Sequence, residues 1–326
     1  MAELSFVCYT PQNEKISVDG VVSYELSKTA QAPADGLRLT FLSDKKLPCI
    51  NRVLAYDGDE LIFNGIADTQ RQSVTSTGIS CFVYARSTAC ILLDNEAKPY
   101  TYDSPSAIFL FNRYARDFGF KSKLPSVWCD TYYQVGKGTS CYGAINDMVY
   151  ALTGKNVLVT PQNELCVLNE NAVVNMEHYN VLSKKYVINR GDAYSQIDYM
   201  TDDENGYSHH FKSRFFESEG ISRSKKINLS ALPIWQQKRK LKNLLSSSSD
   251  NYETVELVLE GIHNFNLYDR VKCDGTIDDG DDFYISDICI SAKTDYCKTR
   301  ITASKSIDLR EVNYCLLYTS DAADDL

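Results

Sequence analysis

Apolar and polar positions alternate with period two along much of the chain, the signature of half-buried strands. In Val255-Glu256-Leu257-Val258-Leu259-Glu260 the alternation puts Val255, Leu257 and Leu259 on one face, the one predicted to be buried. Two turn signals mark hairpins in the first third. Asp19-Gly20 lies between the β-favouring halves of residues 15–26, and Asp57-Gly58 separates residues 53–56 from Leu61-Ile62-Phe63. With further β-rich runs at 37–42 and 79–84, residues 1–94 read as a small sandwich or barrel.

The period then changes from two to between three and four. Ser104-Pro105 predicts a helix start, followed by Ile108, Phe111, Tyr114, Ala115 and Phe118 on one face and Gly119 as a stop. A second helix is predicted from Thr139 or Ser140, with Ile145, Met148, Val149 and Leu152 on its apolar face and Gly154 at its end. A turn at Pro161-Gln162-Asn163 joins two more β-favouring runs. Residues 95–185 therefore read as an α+β insertion. Strand signals return from Tyr186, at Ile197-Asp198-Tyr199 and at 211–216 around a polar turn at 202–206. A helix at 233–245 and a Ser246–Ser249 linker interrupt them before strands resume at 255–260, 271–273, 283–290 and 299–303. The expected class is α+β, mostly β: two β-barrel-like domains, 1–94 and 186–314, flanking the insertion at 95–185.

Residues 315–326 break this pattern. Cys315-Leu316-Leu317-Tyr318-Thr319-Ser320-Asp321-Ala322-Ala323-Asp324 resembles the translation of a transposase-type sequencing adapter, so this stretch is expected to be non-native and no part of the fold. The natural C-terminus is then expected to lie elsewhere.

Charge and composition narrow the chemistry. The formal charge is −9, from 34 Lys and Arg against 43 Asp and Glu, which argues against the phosphate-neutralising surface of a nucleic-acid binder. The apolar runs fall far short of the ~20 residues of a membrane-spanning helix, and Met1-Ala2-Glu3-Leu4-Ser5-Phe6-Val7 lacks the features of a secretory signal. The eleven cysteines are scattered without a C-x-x-C pair, as expected of reduced thiols serving as small buried side chains.

Four constellations could carry chemistry. Ser140-Cys141-Tyr142-Gly143 puts a cysteine at a predicted helix N-terminus, a setting that lowers a thiol pKa and superficially resembles the Asp-Cys-Ser-Gly start of papain-like cell-wall peptidases. His178 is the only histidine of the middle section, and no Gly-His-x-Gly strand accompanies it; Cys141 also fits a structural position. The aspartates of 274–282 could bind calcium but fail the EF-hand template, and they fit a solvated hairpin tip. Adjacent His209 and His210 point to opposite faces of an extended chain, a poor metal pair. Lys225-Lys226 and Lys238-Arg239-Lys240 with Lys242 form a basic stretch that reads as a solvated face or a dock for an acidic protein partner. No residue is assigned a catalytic, cofactor-binding or metal-binding role.

The order of segments resembles one known family. Residues 56–68 (Tyr56-Asp57-Gly58-Asp59-Glu60-Leu61-Ile62-Phe63-Asn64-Gly65-Ile66-Ala67-Asp68), then 78–84, Ala85-Arg86-Ser87 and 92–97, are similar to the baseplate hub proteins of contractile phage tails, the late-control D family, in particular the PBSX-type prophage hub. Tyr100-Thr101-Tyr102, Ser104-Pro105-Ser106, Phe118-Gly119-Phe120, Gly138-Thr139-Ser140-Cys141-Tyr142 and residues 257–271 continue the colinear resemblance over about residues 50–310. At Leu267-Tyr268-Asp269 the chain departs from the family, which usually has Gly before the Asp. Cys141 falls where the family has an ordinary helix residue.

The resemblance implies a virion structural protein without catalysis or cofactor, assembled in the host bacterial cytoplasm. It implies a homotrimer whose two β-barrel domains per subunit make six, adapting a sixfold tail tube to a threefold central spike. Tail tube protein, spike and other baseplate proteins are the implied partners, with no nucleic-acid specificity and no stable membrane insertion. The rival reading is a tail-associated cysteine peptidoglycan hydrolase using Cys141 and His178.

Overall fold

A computed structural model describes residues 4–75, 78–167, 172–201, 206–230, 232–249, 251–272, 283–293 and 296–305. The aspartates of 274–282 and the tail at 315–326 lie outside these residues. The chain is mostly β with a few helices, as its alternation predicts. It divides into two compact units: Met1–Tyr186 with Thr254–Ser304, and Val187–Glu253 with Lys305–Leu326.

The first unit begins with seven strands, β1 (Ser5–Tyr9), β2 (Lys15–Ser17), β3 (Val21–Thr29), β4 (Ala32–Ser43), β5 (Arg52–Asp57), β6 (Glu60–Thr75) and β7 (Gly78–Ser87). Asp57-Gly58 turns β5 into β6 as expected, with Asp57 opposite Glu60 and Gly58 at φ 57°. Asp19-Gly20 makes no hairpin. Instead β2 pairs with β1, and β3 pairs with the next strand, β4, on one side and with the distant strand Phe283–Lys293 on the other.

The insertion follows as α1 (Cys90–Asp94), β8 (Tyr100–Asp103), α2 (Ala107–Tyr114), a 3-10 turn at Arg116–Phe118, β9 (Lys121–Lys123), β10 (Tyr132–Val135), α3 (Cys141–Thr153), β11 (Leu158–Val159) and β12 (Glu164–Cys166). The cap of α2 is Ser106, which accepts from the Phe109 N–H at 3.0 Å, and not Ser104. Ser104 and Pro105 are held by another segment: Ser104 N–H donates to Thr131 O and Cys129 N–H to Pro105 O. Of the expected α2 face, Phe111, Tyr114 and Ala115 are buried whereas Ile108 and Phe118 stay exposed. Helix α3 follows the prediction closely. Ser140 caps it and Gly154 ends it at φ 72°, with Ile145, Met148 and Val149 buried.

Next come β13 (Val173–Asn175), a 3-10 turn at Met176–His178 and β14 (Val181–Ile188); then β15 (Gln196–Met200), β16 (His209–Lys212), α4 (Arg214–Ser218), β17 (Ser224–Asn228) and α5 (Ile234–Ser249) form most of the second unit. The run at 211–216 is therefore not one strand. Ser213 stops β16 and caps α4 by accepting from Phe216 N–H, which lets Phe216 bury completely. The serines at 246–249 belong to α5, not to a linker: Ser248 Oγ donates back to Leu245 O at 2.8 Å. Strands β15, β16 and β17 make a separate three-stranded sheet on which Leu241 and Leu245 of α5 pack, against Ile197, Tyr199 and Phe211.

Strands β18 (Glu253–Glu260), β19 (Arg270–Lys272), β20 (Phe283–Lys293) and β21 (Tyr296–Lys305) complete the described chain. The main sheet has thirteen strands in the order β14-β18-β21-β20-β3-β4-β7-β6-β5-β1-β2, with β19 joining β20 and β13 joining β19. It is an open path, and no closed barrel forms among the described residues. N-terminal and C-terminal strands meet at β20 and β3. One row of paired residues crosses that seam, Ile290 beside Leu26, Leu26 beside Leu37 and Leu37 beside Ala85, all at most 1% exposed. Each of the leucine and isoleucine side chains in this row contributes roughly 1.5–3 kcal/mol on burial. Val255, Leu257 and Leu259 sit in the same core, on the face their alternation predicts.

Candidate assembly surfaces

A set of hydrogen bonds ties the insertion to the first β region. Asn64, on β6 and 3% exposed, accepts from Arg52 Nε at 2.9 Å and donates through Nδ2 to Pro161 O at 2.9 Å and Asn163 Oδ1 at 3.3 Å. Thr88 Oγ1 donates to the same Asn163 oxygen at 2.7 Å. Asn163 presents that oxygen from the left-handed region, at φ 62°, which asparagine tolerates better than most residues. The turn motif read from the sequence is thus also the anchor of the insertion.

A second device guards the outer edge of β6. Gln72 accepts from Leu47 N–H at 2.8 Å and donates to Leu47 O at 3.0 Å. Two residues earlier, Gln70 accepts from Ile50 N–H and donates to Pro48 O. These side-chain amides bond the segment at 47–50 much as a neighbouring strand would, so this part of the edge is not left as an open template.

Along the seam, the face opposite the core forms a concavity of about 400 Å³ lined by alternating charges, among them Glu25, Arg38, Glu256, Asp287 and Arg300. Arg38 pairs with Glu25 at 2.5 Å and lies 5.7 Å over the Tyr84 ring. Nearby Asp35 is pushed up to about 6, because burial penalises its charge more than Lys28 relieves it.

The sheet of the second unit offers a polar face of its own. Asp198 sits between His210 and Lys226 in register, and Gln196 between Lys212 and Ser224. His210 Nδ1 lies 2.7 Å from Asp198 Oδ1, and Gln196 Nε2 donates to the same oxygen at 2.5 Å. Burial raises the Asp198 carboxyl, but the hydrogen bonds from Gln196 and His210, with the charge of Lys226, outweigh it and hold the group below the ordinary carboxylate range. His210, Lys212 and Lys226 are exposed around this buried acid. His209 turns to the other face and stacks on Tyr199, ring centroids 5.1 Å apart, so the two histidines diverge as the strand geometry predicts. Sequence reasoning missed Asp198 as a centre, although its place between Ile197 and Tyr199 signalled a polar residue facing away from the apolar side.

Cys141 opens α3 and His178 closes a 3-10 turn; none of the hydrogen bonds among the described residues joins them. Cys141 is 5% exposed as a residue, and burial pushes its thiol pKa up, opposite to what a nucleophile needs. No group of three or more potential metal ligands occurs among the described residues. Lys225 and Lys226 lie on β17 and the 238–242 cluster on α5, so the basic stretch is split between a strand and the helix that packs on its sheet. Tyr268, the residue before Asp269, adopts φ 68°, the conformation for which glycine is the usual choice.

No protein-family profile and no curated protein sequence matches the chain. Solved structures do. The tail protein from Neisseria meningitidis MC58 superposes with a TM-score of 0.72 at 13% identity, over 94% of this chain and 97% of that one. The 43 kDa tail protein of prophage MuSo2 from Shewanella oneidensis gives 0.70 at 12% identity, over 92% and 98%. The E. coli c3393 protein, a component of the type VI secretion system, gives 0.53 at 10% identity, over 89% and 74%. The chain therefore shares the fold of phage tail proteins.

Proposed function

We propose that the chain is a structural protein of a phage tail baseplate, the hub at which a sixfold tail tube meets a threefold spike. The observation that carries this reading is the end-to-end likeness to the Neisseria tail protein, which spans 94% of this chain and 97% of that one. In this reading three copies assemble, and the β regions at 1–94 and 186–314, with the insertion at 95–185, supply two tube-facing parts per copy. Tail tube protein, spike and other baseplate proteins are the partners, and the protein resides in the virion. The concentration of well-formed geometry in packing, edge protection and anchoring suits an assembly part whose work is adhesion.

The test is size-exclusion chromatography with light scattering, run beside a cell-wall degradation assay. A mass of roughly 110 kDa, three times the 36.8 kDa chain, without degradation is expected. A monomer that degrades cell wall, with activity abolished by Cys141→Ala, would replace the hub reading with that of a hydrolase.

A further inference from the structure

Three segments far apart in sequence meet at one hydroxyl. Tyr268 OH donates to Ala30 O, in the turn between β3 and β4, at 3.3 Å and accepts from Asn156 Nδ2, in the insertion, at 3.1 Å. Behind Asn156 the hydrogen bonds continue into α3: Asn146 Nδ2 donates to Asn156 Oδ1 at 3.2 Å, and Asn146 Oδ1 accepts from Val157 N–H at 2.8 Å and from Tyr142 OH at 3.1 Å. Behind Ala30 they continue into β20, where Ser286 O accepts from Ala30 N–H and Ile285 O from Tyr268 N–H, both at 2.8 Å. The hydroxyl thus closes a chain of bonds from α3 to β3 and β20, the two strands of the seam. We infer that Tyr268 is a strained latch, which opens together with the segments it joins while the rest of the fold stays closed.

The backbone of the latch is the reason. At φ 68° Tyr268 holds a conformation that disfavours a residue with a Cβ by roughly five- to thirtyfold. Such strain persists only where the surroundings over-determine it. Here the Asp269 carboxylate, in a residue 6% exposed, accepts from Asn266 N–H and Ala172 N–H, both at 3.2 Å, and the Tyr268 ring stacks on Tyr284. The insertion has a second tie, Asn64 to Asn163, but it is built differently. Asn64 is 3% exposed whereas Tyr268 and Asn156 are half-buried, and the left-handed residue there is an asparagine, which tolerates that conformation. Of the two ties, the one at Tyr268 returns strain on release and so opens at lower cost. Openings of this kind let a fold change shape without unfolding.

The experiment is native-state hydrogen exchange of the full chain, of Tyr268→Phe, which keeps the ring and removes the hydroxyl, and of Asn156→Ala. In the parent, the amides of Ala30, Val157 and Tyr268 are expected to exchange through one common opening, roughly tenfold or more faster than those of Leu26 and Ile290 in the seam core. Either variant is expected to speed the three together, by roughly two- to tenfold for one hydrogen bond. The Lys121 amide, which donates to Asn163 O at 2.8 Å beside the other tie, is expected to keep its rate. If Asn156→Ala does not fold, Tyr268→Phe carries the comparison alone. Three amides as slow as Leu26 and Ile290 in the parent overturn the inference, because nothing then opens short of global unfolding. A variant that speeds only the amide nearest the substitution also overturns it, because the three segments are then uncoupled. Either result leaves the proposed hub role standing.

Discussion

Asn64 and Asn163 meet side chain to side chain across a sequence separation of 99 residues, Nδ2 of the first donating to Oδ1 of the second at 3.3 Å. Asn64 also serves Pro161 O and Arg52, so one buried amide satisfies three groups. Asn64→Ala leaves those groups without it, a loss of about 1–3 kcal/mol for a buried unsatisfied partner. Urea unfolding monitored by tryptophan fluorescence measures it, and a change within error of zero would show that water replaces the amide.

Tyr268 sets a backbone cost against a side-chain gain. Its φ of 68° costs a residue with a Cβ about 1–2 kcal/mol. Its half-buried ring stacks on Tyr284 with centroids 6.0 Å apart, and its hydroxyl meets Ala30 O at 3.3 Å and Asn156 Nδ2 at 3.1 Å. The ring contacts outweigh the strain, so Tyr268→Gly is expected to lower stability by about 1 kcal/mol. A glycine variant more stable than the parent in thermal melts would reverse that ranking.

Asp35 makes stability depend on pH in a definite direction. Its carboxyl titrates near 6 when folded and in the ordinary range near 4 when unfolded, so between those values the folded protein binds the extra proton. Its contribution to stability is favourable below about 4 and is lost as pH rises through about 6. Asp35→Asn removes this loss. The variant should gain stability relative to the parent at neutral pH, with the difference shrinking toward pH 4, in denaturant titrations across that range. A difference that is flat with pH would mean that the carboxyl titrates normally.

The thiols should react in an order set by burial. Cys49 is exposed, whereas Cys8 is buried and pushed up to about 12, by burial first and then by neighbouring Cys81. Burial also raises Cys81 and Cys141. Iodoacetamide near neutral pH is expected to label Cys49 first, with Cys8, Cys81 and Cys141 labelled only after unfolding, as read by peptide mass spectrometry. Labelling of Cys141 as fast as Cys49 in the folded protein would restore its candidacy as a nucleophile.

Local features were legible in the sequence by itself. Ser140 and Gly154 bound α3 because a cap and a left-handed stop are decided within a few residues. Val255, Leu257 and Leu259 declared their face because strand period is a property of the backbone. Tertiary structure decided what depends on distant partners. Asp19-Gly20 looks like a hairpin turn, yet β3 takes β4 and β20 as neighbours because Leu26 packs in register with Leu37 and Ile290. Ser104 yields the α2 cap to Ser106 because the segment at 127–131 binds the backbone first. Asp198 becomes the centre of a cationic face only where three strands lie side by side, and Asn64 becomes an anchor only where a turn 99 residues away approaches it. Propensity and capping are short-range energies written in consecutive residues, whereas strand pairing and buried hydrogen bonds are fixed by long-range packing that no local window contains.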